Sequence, residues 1–162
     1  MKSDFLDALT MDSNKSIVAM SKEMKSDFLD AHERHWQDAE TLFQIQRWAN
    51  ADHLYGMAAE CGLKRLMLAF GMQYDTQNDR PEEKEDRVHA NGIWERFESY
   101  RCGHHLGAGY ALPAPNPFDN WDVAQRYACQ SSFDQARVDA HRKGANSVRG
   151  LVHKALREGL IR

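Results

Sequence analysis

RWANADHLYGMAAECGLKRLMLAFG, residues 47–71, carries two apolar rows at helical spacing. Tyr55, Ala59, Gly62, Leu63, Leu66 and Phe70 step by three and four, and Leu54, Ala58, Cys61 and Leu68 make a second row beside them. A helix apolar on two sides belongs in the middle of a bundle. Gly71 follows the last periodic residue, where a left-handed backbone costs a glycine nothing and ends the helix. Glu60 and Lys64 stand one turn apart in the favourable order. They read as an ordinary surface pair, worth about 0.2–0.5 kcal/mol.

Working outward, residues 22–46 form an amphipathic helix of about six turns, with Met24, Phe28, Ala31, His35, Ala39, Leu42 and Gln46 in step and Trp36 and Phe43 widening the stripe. A polar loop containing Pro81 covers 72–86. A third helix is expected over 85–101, with Ala90, Ile93, Trp94, Phe97 and Tyr100 on one side. Residues 102–121, CGHHLGAGYALPAPNPFDNW, hold three glycines and three prolines, which no helix interior sustains. Such a long loop is the expected seat of function, with Phe118 and Trp121 suited to anchoring it on the bundle. Asp119 or Asn120 then caps a short helical stretch to about Arg126, and Ser131 with Asp134 resembles a capping box for a final helix ending at Gly159. No segment alternates like a strand. The expected fold is all-α: an up-and-down bundle of four to five helices with a long Gly/Pro-rich loop before the last helices.

The chain has 162 residues, 42% of them hydrophobic, enough for one core. Residues 22–162 are read as a single helical domain. Residues 1–21 are read as an appendage, either a short helix or a disordered arm. MKSDFLDA at 1–8 returns at 24–31, a local duplication rather than a repeat architecture. A net charge of −3 argues against broad capture of a nucleic-acid backbone and leaves room for a local basic patch. Three widely spaced cysteines indicate neither a disulfide framework nor a zinc knuckle, so a reducing, cytoplasmic setting is expected. No run is long and apolar enough for a membrane span, and no secretion signal is evident.

The start of the central helix, with Glu60 and Lys64 in it, resembles the second helix of the HEPN family, small helical proteins of prokaryotic nucleotide-handling and RNA-cleaving systems. His89 leading into HANGIWERF and the segment NWDVAQRYA are similar to that family's entry to the third helix and its approach to the last one. The resemblance spans about residues 24–160 and implies a helical, often dimeric module that acts beside nucleotide-transferring or nucleic-acid-targeting systems. Family ribonucleases place an arginine and a histidine in a late helix with four to six residues between them, a spacing for which the late pairs of this chain are too close, so that a guanidinium stabilises phosphate charge while an imidazole moves protons.

In this chain the spacing match is Arg47 with His53, at the start of the second helix instead. The late pair Arg137 and His141 is four apart and shares a helix face. These four residues are the candidate catalytic groups, and Arg126, Tyr127 and Arg101 are candidate nucleic-acid contacts. Three functions follow: a nucleotide- or RNA-associated accessory module, a metal-independent endoribonuclease, or a helical module that binds a partner protein. Surplus apolar stripe on two long helices points to a homodimer. His32 with His35, and Cys102 with His104 and His105, are better read as structural than as metal ligands, because the Glu-x-x-His pairs of carboxylate-bridged bundles are missing. No cofactor and no metal is expected.

Overall fold

The computed structural model describes residues 24–162. The appendage and the first octamer copy lie outside the described residues. Helix α1 spans Phe28–Gln44, α2 Trp48–Ala69, α3 Ala90–Cys102 and α4 Gln135–Arg157. Only three residues separate α1 from α2, so the two fold back on one another. Gln46 takes a φ of 60° in that turn. Helix α2 packs against α1, α3 and α4, and 13 of its 22 residues are buried. It is the central helix that its two apolar rows require.

The core runs along α2 through Tyr55, Leu63, Leu66 and Met67, with Ile93 and Phe97 of α3 and Val138, Val148 and Val152 of α4 closing on it. Close approach depends on missing side chains. A Cβ on Gly62 would meet Val148 Cγ1 at 2.6 Å and His32 Nδ1 at 2.7 Å. Gly71 ends the helix region with φ 104°, as its position after the periodic run implies.

Several boundaries differ from the sequence reading. Helix α1 begins at Phe28, not near residue 22, because the Asp27 carboxylate accepts the amides of Leu29 and Asp30. Asp79 ties down the preceding turn, accepting both the amide and the hydroxyl of Ser26. The expected third helix is split. Residues Lys84–Asp86 make a 3-10 turn whose buried Asp86 accepts Arg96 Nε at 2.5 Å and Tyr100 OH at 2.6 Å, folding the segment back on α3. The polar loop contains a short hairpin, Tyr74–Asp75 paired with Arg80–Pro81, too brief to show alternation. Asp134 alone caps α4 through the Arg137 amide, and Ser131 instead meets Cys129 Sγ.

The Glu60–Lys64 pair is also not on the surface. Both side chains are about nine-tenths buried, 2.6 Å apart, with His89 Nδ1 at 3.1 Å from the other carboxylate oxygen. No described helix is long and apolar enough to cross a membrane.

The Gly/Pro-rich loop is strapped to the bundle rather than standing free. Tyr110 is buried and donates its hydroxyl to Glu158 at 2.6 Å, while Lys154 reaches the Gly109 carbonyl and lies over the Tyr110 ring. Asn116 donates to the Asn91 carbonyl. Phe118 fills the space between Trp94 of α3 and His141 of α4, and Trp121 donates from its indole to the Asp52 carbonyl. Both expected anchors are buried.

Candidate functional site

The first turns of α2, the middle of α4 and the 3-10 helix Val123–Tyr127 enclose a polar network centred on Asp52. Its carboxylate is fully buried. Oδ1 accepts His141 Nδ1 at 2.6 Å, and Oδ2 accepts Gln125 Nε2 at 2.6 Å with Arg137 Nε at 3.6 Å. His141 is equally buried, stacks on Phe118 at 5.2 Å, and meets the Asn120 side-chain amide through Nε2 at 2.8 Å. With Nδ1–H donated to Asp52, the Asn120 amide can serve either ring state by turning its oxygen or its nitrogen inward. Arg137 also donates to the Asn120 carbonyl at 2.6 Å. Two bases of α4 and a loop are thus gathered on one carboxylate, with His141 and Gln125 hydrogen-bonded to it and Arg137 held as an ion pair whose buried Nε makes no hydrogen bond among the described residues.

His53, the next residue, turns to the other side of Trp121 and stacks on it at 5.6 Å with ring planes 15° apart. Burial lowers its pKa, and the nearby Arg126 guanidinium lowers it further. Its Nδ1 is buried without a partner among the described residues. Beyond it Arg126 lies 4.8 Å over the ring of Tyr127, which is 79% exposed. The capping box made by Asp122 and Gln125 fixes this short turn against α2.

The sequence-derived candidates therefore divide. Arg137 and His141 meet on Asp52, and His53 lies in the field of Arg126. Arg47 stands exposed at the N-cap of α2 and makes no ion pair among the described residues, so its spacing to His53 does not bring the two together. Arg101 belongs elsewhere: it pairs with Glu98 and donates to the Gly107 carbonyl, holding the start of the loop. Among the described residues no group of His, Cys, Asp and Glu is arranged to hold a metal ion. His32 bonds the Ala58 carbonyl at 2.7 Å, and His104 packs on Phe70 and His105.

Asp52 and Gln125 went unnoticed in the sequence, and Asn120 enters it only as one of two caps, with Asp119, for the short helical stretch that Asp122 caps instead. A signal existed for Asp52, since positions 52, 55, 59, 62 and 66 extend the buried row backward by one step and put a carboxylate where an apolar residue is expected. No family model, curated protein or solved structure matches the chain.

Proposed function

We propose that this chain is a HEPN-like helical accessory module that associates with nucleotide or single-stranded RNA and leaves cleavage to a partner. The observation that carries this reading is the closure of His141. A proton-shuttling imidazole needs a ring nitrogen turned to the substrate, whereas His141 is fully buried with Nδ1 on Asp52 and Nε2 on Asn120. Arg137 is committed to the same network. Association with RNA rests on the resemblance and on the Arg126/Tyr127 patch, where an open ring and a guanidinium offer the stacking and charge that sequence-tolerant single-strand binding uses. Binding of a labelled RNA oligonucleotide, followed by anisotropy, tests this. Tyr127→Ala is expected to weaken it by about fivefold or more, the lower end of one lost stacked base. Unchanged affinity in Tyr127→Ala and Arg126→Ala would remove the patch.

A second reading, a metal-independent endoribonuclease, is favoured by one observation: His53 stacks on Trp121 near Arg126, and burial and that guanidinium lower its pKa, the direction that suits a base beside a phosphate-binding cation. Cleavage by the purified chain in chelator, abolished by His53→Ala and retained in His141→Ala, would establish it. For a homodimer, the surplus apolar stripe expected on the long helices is weakened as support, since exposed apolar side chains such as Ile45, Leu106 and Leu156 lie on separate elements, and the resemblance is the support that remains. Light scattering at micromolar concentration decides that point. So would stoichiometric co-purification for a partner protein.

A further inference from the structure

A hollow of about 300 Å³ lies where the entry to α1, the last turns of α2 and the hairpin meet. Its apolar wall is Phe28, Leu68 and Tyr74, all half-buried, with Phe28 set edge-on to Tyr74 at 5.8 Å. An apolar cavity of about 150 Å³ takes up a benzene ring, so this hollow has room for about two aliphatic side chains. The charged groups around it already have partners. Asp79 accepts the amide and hydroxyl of Ser26 and the hydroxyl of Tyr74, and Asp27 accepts the amides of Leu29 and Asp30. Lys25 reaches the Thr76 carbonyl at 3.5 Å, and Arg65 donates to the Arg162 carbonyl at 3.1 Å. The surface left to cover is apolar, and its burial favours an apolar occupant.

The chain carries such an occupant close by. Lys25 lines the hollow and Met24 beside it is exposed, so residues 1–23, outside the described residues, join the bundle at its mouth. Within them Ile17–Met20 is the longest unbroken apolar run. Only residues 21–24 separate it from Lys25, and four residues span up to about 14 Å, enough for the run to return alongside 25–28. Phe5 with Leu6, and Ala8 with Leu9, would have to close a loop several times longer, at a greater cost in entropy. The hollow on the other side of 25–28, about 370 Å³, differs in kind. Asp30, Arg34 and Glu60 stand on its wall, where an apolar group would cut polar groups off from water.

We propose that the apolar run Ile17–Met20 docks in the hollow between Phe28, Leu68 and Tyr74, fastening the hairpin and the entry to α1 onto the end of α2. The stretch between the two octamer copies is then a clasp rather than a linker, and it leaves the first copy outside the docked segment. The test is nuclear Overhauser contacts in the full chain, with amide exchange as a second readout. Methyl groups of Ile17, Val18 or Met20 are expected within reach of the ring protons of Tyr74 and Phe28. Amides over 17–20 should exchange about tenfold or more slowly than in Ile17→Asp/Val18→Asp. That variant changes no residue of the described bundle, and it should shift the Tyr74 ring resonances while leaving those of Phe97 in the core unmoved.

No contact from any of these methyls to either ring overturns the proposal, and so does exchange over 17–20 that is equal in the two proteins. Contacts to Met57 and Ala31 instead would put the run in the charge-lined hollow and overturn it as well. A mixed sample of labelled and unlabelled chains separates the source of the occupant. Contacts within one chain uphold the clasp. Contacts seen only between chains would mean that a second copy fills the hollow, and the proposal would fail.

Discussion

Gly56 has no side chain because the Trp121 indole occupies its place: a Cβ there would lie 2.5 Å from Cζ2 and closer still to Cε2 and Nε1. The indole can therefore lie flat against α2 and reach the Asp52 carbonyl at 3.1 Å. Gly56→Ala must displace the ring or the loop that carries it. We expect a loss of about 1–3 kcal/mol, as for overpacking, read from urea unfolding. Gly150 is the control. It is exposed in α4 with nothing within 4 Å of a built Cβ, so Gly150→Ala should stabilise by about 0.5–1 kcal/mol. Equal effects at the two sites would contradict the packing described.

Removing the hub of the polar network should cost more than removing a spoke. Asp52→Ala leaves the His141 Nδ1 and the Gln125 amide without their acceptor and Arg137 without its carboxylate counter-ion, and is expected to destabilise by about 3–5 kcal/mol. Gln125→Ala, which leaves the His141 contact in place, should cost about 0.5–1.5 kcal/mol. Chemical denaturation of both variants checks the ranking, and a reversal would mean that Asp52 is not the centre.

Glu40 ties three helices together, accepting Tyr55 OH at 2.6 Å from α2 and the Arg142 fork from α4. Tyr55→Phe removes one donor and leaves the ion pair, a loss of about 0.5–1.5 kcal/mol. Glu40→Ala strands a buried hydroxyl as well as a guanidinium, so its cost should exceed that of Tyr55→Phe by at least about 1 kcal/mol. Thermal melts of the two proteins supply the comparison.

Acid should weaken the fold in two stages. Burial lowers the pKa of His32, His35 and His53. Below about pH 6.5 the unfolded chain takes up protons that these folded imidazoles resist, so stability falls as pH drops through that range. Glu40 is lowered chiefly by the hydrogen bond from Arg142. Glu33 is lowered because His153 and Arg149 together outweigh its burial. Their contribution is complete above the unfolded carboxyl value of about 4.3 and disappears as pH falls through the folded one. The melting temperature should decline first below about pH 6.5 and again below about pH 4.3. Glu40→Gln should flatten the second decline and His35→Gln part of the first. A melt insensitive to pH between about 7.5 and 5.5 would count against the buried imidazoles.

Alkali acts through Tyr55, whose phenol is pushed up by burial and by Glu40. Unfolded tyrosine ionises near pH 10 and the folded one does not, so stability should fall above that value and fall less in Tyr55→Phe.

The helices were legible because their cause is periodic. Residues 47–71 repeat at three and four, and the structure buries the row through Tyr55, Ala59, Gly62, Leu63, Leu66 and Phe70 and leaves Leu54 and Leu68 of the second row half-buried. What stayed hidden has non-periodic causes. Glu60 and Lys64 read as a surface pair, since i, i+4 spacing says nothing of the His89 that approaches from the start of α3. The split before α3 depends on Asp86 finding Arg96 and Tyr100, ten and 14 residues on. The meeting of Asp52 with His141 spans 89 residues and needs the bundle itself to form. Arg47 and His53 matched a spacing rule, but a cap and a buried turn of one helix face different ways.

The loop over 102–121 wedges Phe118 between α3 and α4 and ties Tyr110 to Glu158. Helix α3 thus has two attachments, to α2 directly and to α4 through a segment with little regular structure of its own. Opening of that segment would uncover the inner face of α3 before the α1–α2–α4 core gives way. Amide exchange in Ile93–Phe97 is therefore expected to follow release of the loop, and that of Leu63–Met67 global unfolding.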